Sequence, residues 1–375
     1  MKLAFVASLF LVGTGLPSLA DEAPDVLVAP GLEMDLPPDK TVVWTAAFPA
    51  CWWKLAEFFK ISAIDLNPPS VWGKRLNALQ LDYNAVLPAD AAYVGAGLAS
   101  KELQESIQSE MMKRMGGRMP GLDLDWGNLI PGSVVACCWL KQRFDFDPKF
   151  YRAQSAPLAF TTASGKKLNV QYFGTTEDLA SRYSQVVKIL EDDNEGTVLQ
   201  FQSARTGERL LFGKRLRKSD GRPVALLSEA VSRFRTQLDA YAKAIAADEE
   251  TKLGAFGHGD VLKIPVVSFE GSANYTKILA GTFSAPGYKR PMRFVHAWQM
   301  VKFDLDETGA AIESRALAVA SPAGGAPLKP PQPRIFIFDE PFFIAAWRDK
   351  APLPYFMGRI DGASVLRAWS ARDKP

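Results

Sequence analysis

Residues 301–320 read VKFDLDETGAAIESRALAVA, and after a connection rich in Pro and Gly the chain continues as RIFIFDEPFFIAAWRD (334–349) and PYFMGRI (354–360). Ile335–Phe338 and Phe342–Trp347 are apolar throughout, without the alternation of a strand that wets one face. Both are therefore expected to bury two faces and to belong to a core rather than an edge. Val301–Leu305 reads as a strand that runs through Asp306-Glu307-Thr308-Gly309 into small residues and then a long connection.

Other segments can be placed around this stretch. Gly132–Lys141 (GSVVACCWLK) is a strand followed by Phe144, Phe146 and Phe150; Leu158-Ala159-Phe160, with Gly165 and Val170, marks shorter strands. Asp260–Phe269 (DVLKIPVVSF) is an apolar run carrying a proline, with a helix expected after it through Tyr275 and Leu279. In this order, over residues 130–365, the segments resemble the serpins, the serine-protease-inhibitor family. The resemblance implies an α+β fold with a large central mixed or antiparallel sheet, additional sheets and surrounding helices. It also implies that Val134–Leu140 and Val301–Leu305 are strands of one large sheet, with the segment after Gly309 entering or leaving it.

The residues themselves agree with that class. Helical spacing marks Cys51, Trp52, Leu55, Phe58 and Phe59 after Pro49; Leu103, Ile107, Met111 and Met115 up to Gly116-Gly117; and Leu227, Ala230, Phe234, Leu238, Tyr241 and Ile245 after Pro223. Val186–Leu190 and Thr197–Phe201 read as strands flanking a polar turn. Irregular alternation of strands and helices argues for α+β. No linker divides 41–375, so it is expected to be one domain after a proline-rich lead-in at 21–40.

The first 20 residues read as an export signal: Lys2, the apolar run Leu3–Leu16, and the small-x-small site Ser18-Leu19-Ala20. A secreted or periplasmic protein follows, with no membrane association once the signal is cut; a retained anchor is the competing reading. A formal charge of +3 over 375 residues gives no global field to attract nucleic acid. The three cysteines make no disulfide scaffold. Adjacent Cys137 and Cys138 point to opposite faces of a strand, so buried free thiols are expected, with a bridge from Cys51 as the minor alternative.

Enzymatic chemistry is not indicated, and no cofactor or metal is expected. The two histidines, His258 in a turn and His296 after an apolar pair, lie in no metal or nucleophile spacing. Asp123, Asp125 and Asn128 lack the glycine and distant glutamate of a calcium loop. Lys214, Arg215, Arg217, Lys218 and Arg222 form the one basic cluster, either a polyanion patch or a solvated hairpin end. No aromatics interleave with it for base stacking.

The resemblance places function in the loop 309–334. A serpin that inhibits offers the loop to a serine protease and, once cut, inserts it into the central sheet. About 15 residues at about 3.3 Å each make a strand of roughly 50 Å. On such a strand Ala310, Ile312, Ser314, Ala316, Ala318 and Ala320 share one face, while Glu313 and Arg315 fall on the other. The resemblance makes Glu307, Gly309, Ala310, Ile312 and Ser314 the hinge.

Several residues depart from the family. Ala310 stands where Thr or Ser is usual, and Ile312, Glu313 and Arg315 interrupt an Ala-rich hinge. Gln299 replaces a mid-strand His, and Val266 stands where a Lys commonly pairs with the hinge glutamate. Pro68-Pro69-Ser70 is a poor match to the segment that controls sheet opening, and the interval from the first helix to Ser133 is short. Counting from Glu307 puts the reactive bond at Ala323-Gly324, whereas counting back from Pro341 reaches Lys329-Pro330. The former suits an elastase-like or subtilisin-like protease acting on a monomer. A non-inhibitory serpin-fold binding or structural protein is the alternative.

Overall fold

The computed structural model describes residues 25–115, 132–202, 207–247, 256–310 and 333–370. The expected signal 1–20, the helix end at Gly116-Gly117, the Asp123–Asn128 segment and loop residues 311–332 lie outside these. Ile312, Ser314, Ala323 and Gly324 are among them.

The chain begins with β1 (Val26–Val28), β2 (Thr41–Thr45), α1 (Ala47–Phe59), α2 (Val71–Leu79), α3 (Tyr83–Val86), β3 (Ala92–Leu98) and α4 (Lys101–Met115). Then come β4 (Val134–Leu140), β5 (Phe144–Asp145), β6 (Tyr151–Arg152), β7 (Leu158–Thr161), β8 (Lys167–Val170) and β9 (Tyr172–Thr175). Next are β10 (Val187–Asp193), β11 (Gly196–Gln202), β12 (Glu208–Lys214), α5 (Leu227–Ala246), β13 (Val261–Pro265) and β14 (Val267–Asn274). The last are β15 (Thr282–Phe283), β16 (Met292–Arg293), β17 (Trp298–Asp306), β18 (Gly309–Ala310), β19 (Ile335–Ile337), β20 (Phe342–Arg348) and β21 (Phe356–Ile360).

The largest sheet has seven strands in the order β1-β2-β21-β20-β12-β11-β10. It is antiparallel except where β1 runs parallel to β2. Strand β20 lies inside it, and Phe342–Trp347 are buried on both faces, as their unbroken apolar run requires. The other apolar run behaves differently. Strand β19 is the edge of a four-stranded sheet, β19-β13-β9-β6, and Ile335 is 67% exposed while Phe336 and Phe338 are buried. The expectation of a core strand at Ile335–Phe338 is corrected: a strand at an edge packs one face, so alternate side chains are enough to hold it.

Helix formation follows the apolar spacing. Pro49 lies in the first turn of α1, and Lys60 ends the helix in the left-handed region at φ 55°. At the start of α5 the Glu229 carboxylate accepts from the backbone N–H groups of Ala225 (2.7 Å) and Leu226 (3.2 Å), satisfying donors near the helix start. Strand β4 is sandwiched between helices. Val135, Cys137 and Trp139 pack with Ile107 and Met111 of α4, whereas Ala136, Cys138 and Leu140 join the main core that includes α1. The adjacent cysteines therefore do face opposite ways, and all three thiols are free and buried.

Two further expectations are corrected. Tyr275–Leu279 is a single turn rather than a helix: Asn274 Oδ1 accepts from the Thr276 N–H (2.9 Å), Tyr275 N–H bonds Ala297 O (2.6 Å), and these ties close the turn before a helix can propagate. Strands β4 and β17 also do not share a sheet. Strand β4 pairs with β3, and β17 belongs to the four-stranded sheet β14-β17-β18-β5. The chain folds back at Glu307-Thr308, so the two residues of β18 take hydrogen bonds that the neighbouring edges would otherwise give each other.

Candidate functional site

Strand β17 alternates strictly: Gln299, Val301, Phe303 and Leu305 are buried, and the residues between them face a less covered side. It ends in a turn that its own side chains close. Asp306 Oδ1 accepts from Thr308 N–H (2.8 Å) and Oγ1 (2.6 Å). From the other side, the N–H groups of Phe146 and Phe150 donate to Thr308 O (3.0 Å) and Glu307 O (2.9 Å).

After the Glu307-Thr308 turn has reversed the chain, Gly309 opens β18 at φ 140°, where a Cβ would stand 1.9 Å from Phe144 O. Only glycine fits so close to another backbone. Beyond it, Ala310 is fully buried, paired with Leu305 on one side and Phe144 on the other. Both pairings are antiparallel, so β17 and β5 are parallel to each other with β18 between them. Strand β5 follows β4 after only Lys141–Arg143. Strands β17 and β4 share no ladder among the described residues.

The expected hinge residues Glu307, Gly309 and Ala310 are thus brought together, while Ile312 and Ser314 lie outside the described residues. Glu307 pairs with Arg152 (2.7 Å), whose second nitrogen donates to Gln171 Oε1 (2.6 Å). Val266, where the family would carry a lysine, is buried and apolar. The cation comes from β6 instead. Gln299 donates from Nε2 to Thr45 Oγ1 (2.6 Å) and its Oε1 accepts from Tyr275 Oη (3.0 Å), tying β17 to β2. Burial pushes the Tyr275 hydroxyl well above its ordinary pKa, so it stays a donor. Ser70 caps α2 through Gly73 N–H (3.2 Å) and donates to Ile278 O (2.5 Å).

The far end of the loop is anchored too. Asp260 is 1% exposed; Oδ1 accepts from Arg334 N–H (2.9 Å) and Nε (3.1 Å), and Oδ2 accepts from Arg334 Nη2 (2.8 Å) and Gly257 N–H (2.8 Å). Asp260 and Arg152 carry no local motif. Their partners lie 74 and 155 residues away, beyond the reach of pattern reading.

The basic cluster is internally neutralised. Lys214 pairs with Asp339 (2.5 Å) and Glu340 (3.2 Å), Arg215 with Glu340 (3.5 Å), Lys218 with Glu229 (3.1 Å) and Arg222 with Asp220 (2.6 Å). Arg217 donates to Gly221 O (2.9 Å). This geometry is that of a braced hairpin end, with Arg215 and Arg222 still largely exposed. His258 is exposed in a turn, and burial lowers the pKa of half-buried His296. Among the described residues no group of acidic, histidine and cysteine side chains could hold a metal ion, and no helix is long and apolar enough to cross a membrane.

No family model and no curated protein matches the chain. The structure is similar to those of serpins. A native thermophilic serpin, tengpin, is 10% identical with a TM-score of 0.48, over 87% of this chain and 90% of that one. Thyroxine-binding globulin in complex with thyroxine is 14% identical with a TM-score of 0.45, over 87% and 93%. Native protease nexin-1 with heparin is 10% identical with a TM-score of 0.45, over 86% and 93%. These are distant likenesses, and what those proteins bind is a property of each of them.

Proposed function

We propose that this chain is an exported serpin-type inhibitor of serine endopeptidases, acting by cleavage of the 309–334 loop and insertion of its hinge end between β17 and the β4–β5 segment. One observation carries the reading: β18 already occupies the head of that slot, antiparallel to the strand on each side. A strand continuing from Ala310 would extend both ladders. The small and apolar face Ala310, Ile312, Ser314, Ala316, Ala318 and Ala320 suits a buried side. The turn, Glu307–Arg152 and Asp260–Arg334 hold the two ends of the loop so that only the part between them needs to move.

The reactive bond in this proposal is Ala323-Gly324. A small residue before the cut suits an elastase-like or subtilisin-like enzyme, and Lys329-Pro330 is disfavoured because proline supplies no N–H after the cut. Incubating the full chain with such proteases is expected to give an adduct that survives denaturing electrophoresis. Mass spectrometry of the released peptide is expected to place the cut within Ala320–Ala326, and a dominant site elsewhere overturns the assignment. A second reading, a non-inhibitory binding protein of the same fold, is favoured by Ile312, Glu313 and Arg315 in the hinge. Its signature is cleavage without an adduct.

A further inference from the structure

A cavity of about 450 Å³ opens between α1, the start of β4 and residues 283–295. Its floor is apolar and built from buried side chains: Leu55 and Phe59 of α1, Val134 and Ala136 of β4, and Phe283. Phe59 is gripped edge-on by Phe283 (5.6 Å between ring centres) and Tyr288 (5.4 Å), so the wall is preformed. The volume lies within the roughly 300–1,000 Å³ of pockets that hold small ligands.

The rim has the opposite character. Lys289, Arg290 and Arg293 are exposed, and none of their side chains forms an ion pair or hydrogen bond among the described residues. No acidic side chain is found among the described residues that line the cavity. The contrast with Lys214–Arg222 is sharp, since most of those cations have a carboxylate partner. Three like charges with no acidic partner among the described residues, at the mouth of a low-dielectric recess, repel one another and focus a positive potential into it. An anion at the rim relieves that repulsion. A purely ionic ligand would leave the apolar floor unused, and a neutral lipid would leave the cations unanswered.

We propose that this cavity binds an amphipathic monoanion of the fatty-carboxylate kind, its head between Lys289, Arg290 and Arg293 and its apolar body against Phe59, Val134 and Phe283. None of Glu307, Gly309 and Ala310 lines the site, which shares β4 with the proposed insertion slot, and its binding is tested without a protease.

Calorimetric titration of the full chain with laurate, dodecanol and dodecyltrimethylammonium separates the two halves of the recognition. Laurate is expected to bind and to raise the thermal midpoint with concentration. Dodecanol is expected to bind more weakly and the cationic amphiphile not at all. The exposed triple variant Lys289→Glu, Arg290→Glu, Arg293→Glu is expected to weaken laurate by at least about tenfold and to leave dodecanol unchanged. Ala136→Leu, with cooperative unfolding as the check on its fold, is expected to weaken both by filling the cavity. Equal affinity for laurate and dodecanol, laurate binding indifferent to charge reversal, or no binding of laurate overturns the proposal.

Discussion

Asp260 is the buried member of an ion pair whose partner, Arg334, stands where the loop rejoins the fold. Without the guanidinium its charge would keep only the backbone donors of Gly257 and Arg334. Arg334→Ala is therefore expected to destabilise the protein toward the lower end of the roughly 3–5 kcal/mol lost when a buried pair is broken. Arg334→Lys is expected to recover part of it, having lost the two-pronged geometry. Chemical denaturation of the three proteins measures both effects, and an Ala variant as stable as the parent would remove this anchor from the account. Cys137 makes a different residue-scale prediction. Burial pushes its thiol up to about 12, so in the folded protein it stays protonated while the unfolded chain ionises near 8.5. Below about pH 8.5 the thiol is neutral in both states; above it the unfolded chain releases a proton that the folded one retains, and stability falls as pH rises. Between pH 8 and 10 the parent is expected to lose about 2 kcal/mol more than Cys137→Ala. Parallel pH profiles would contradict the burial of this thiol.

Strand β18 is only two residues long, yet it joins β17 and β5, which share no ladder of their own among the described residues. Its position rests on Gly309, because any side chain there meets the Phe144 carbonyl. Gly309→Ala is expected to unseat β18, to speed hydrogen exchange at the Ala310 amide and along β5, and to cost about 1–3 kcal/mol, as overpacking does. Unchanged exchange at Ala310 would show that the seat does not depend on this glycine. What the sequence disclosed at this scale follows from how information is stored in it. Strand β20, helix α1 and helix α5 were legible because their apolar periodicity is local. Strand β19 was misplaced because an apolar run does not say which strand, if any, lies on its outer edge. The Tyr275 turn was misread because its stop comes from Ala297 and Asn274 rather than from a helix-breaking residue at its end. The passage from strand into turn at Asp306–Gly309 was legible from the residues, whereas a hinge role for Glu307, Gly309 and Ala310 is what the family resemblance implies. Arg152 was not legible, since its role exists only after β6 is folded against the turn, and neither was the separation of β4 from β17.

At the scale of the whole molecule the proposed inhibition requires that the intact protein not occupy its most stable arrangement. Extending β18 would add ladder hydrogen bonds to two existing strands and bury the small face of the hinge. Cutting the loop between Val319 and Lys329 is expected to raise the thermal midpoint, a gain of about 5 kcal/mol showing as roughly 10 °C. An unchanged midpoint after a confirmed cut would favour the non-inhibitory reading. Calorimetry of cut and intact protein makes the comparison. The three buried thiols lend this transition a clock of its own. Cys137 and Cys138 sit back to back on β4, the strand that borders the proposed slot, one roofed by α4 and the other facing the main core. A thiol reagent can therefore reach sulfur only when a helix lifts or the strand swings aside, and its rate of uptake times the opening of the molecule with no label introduced.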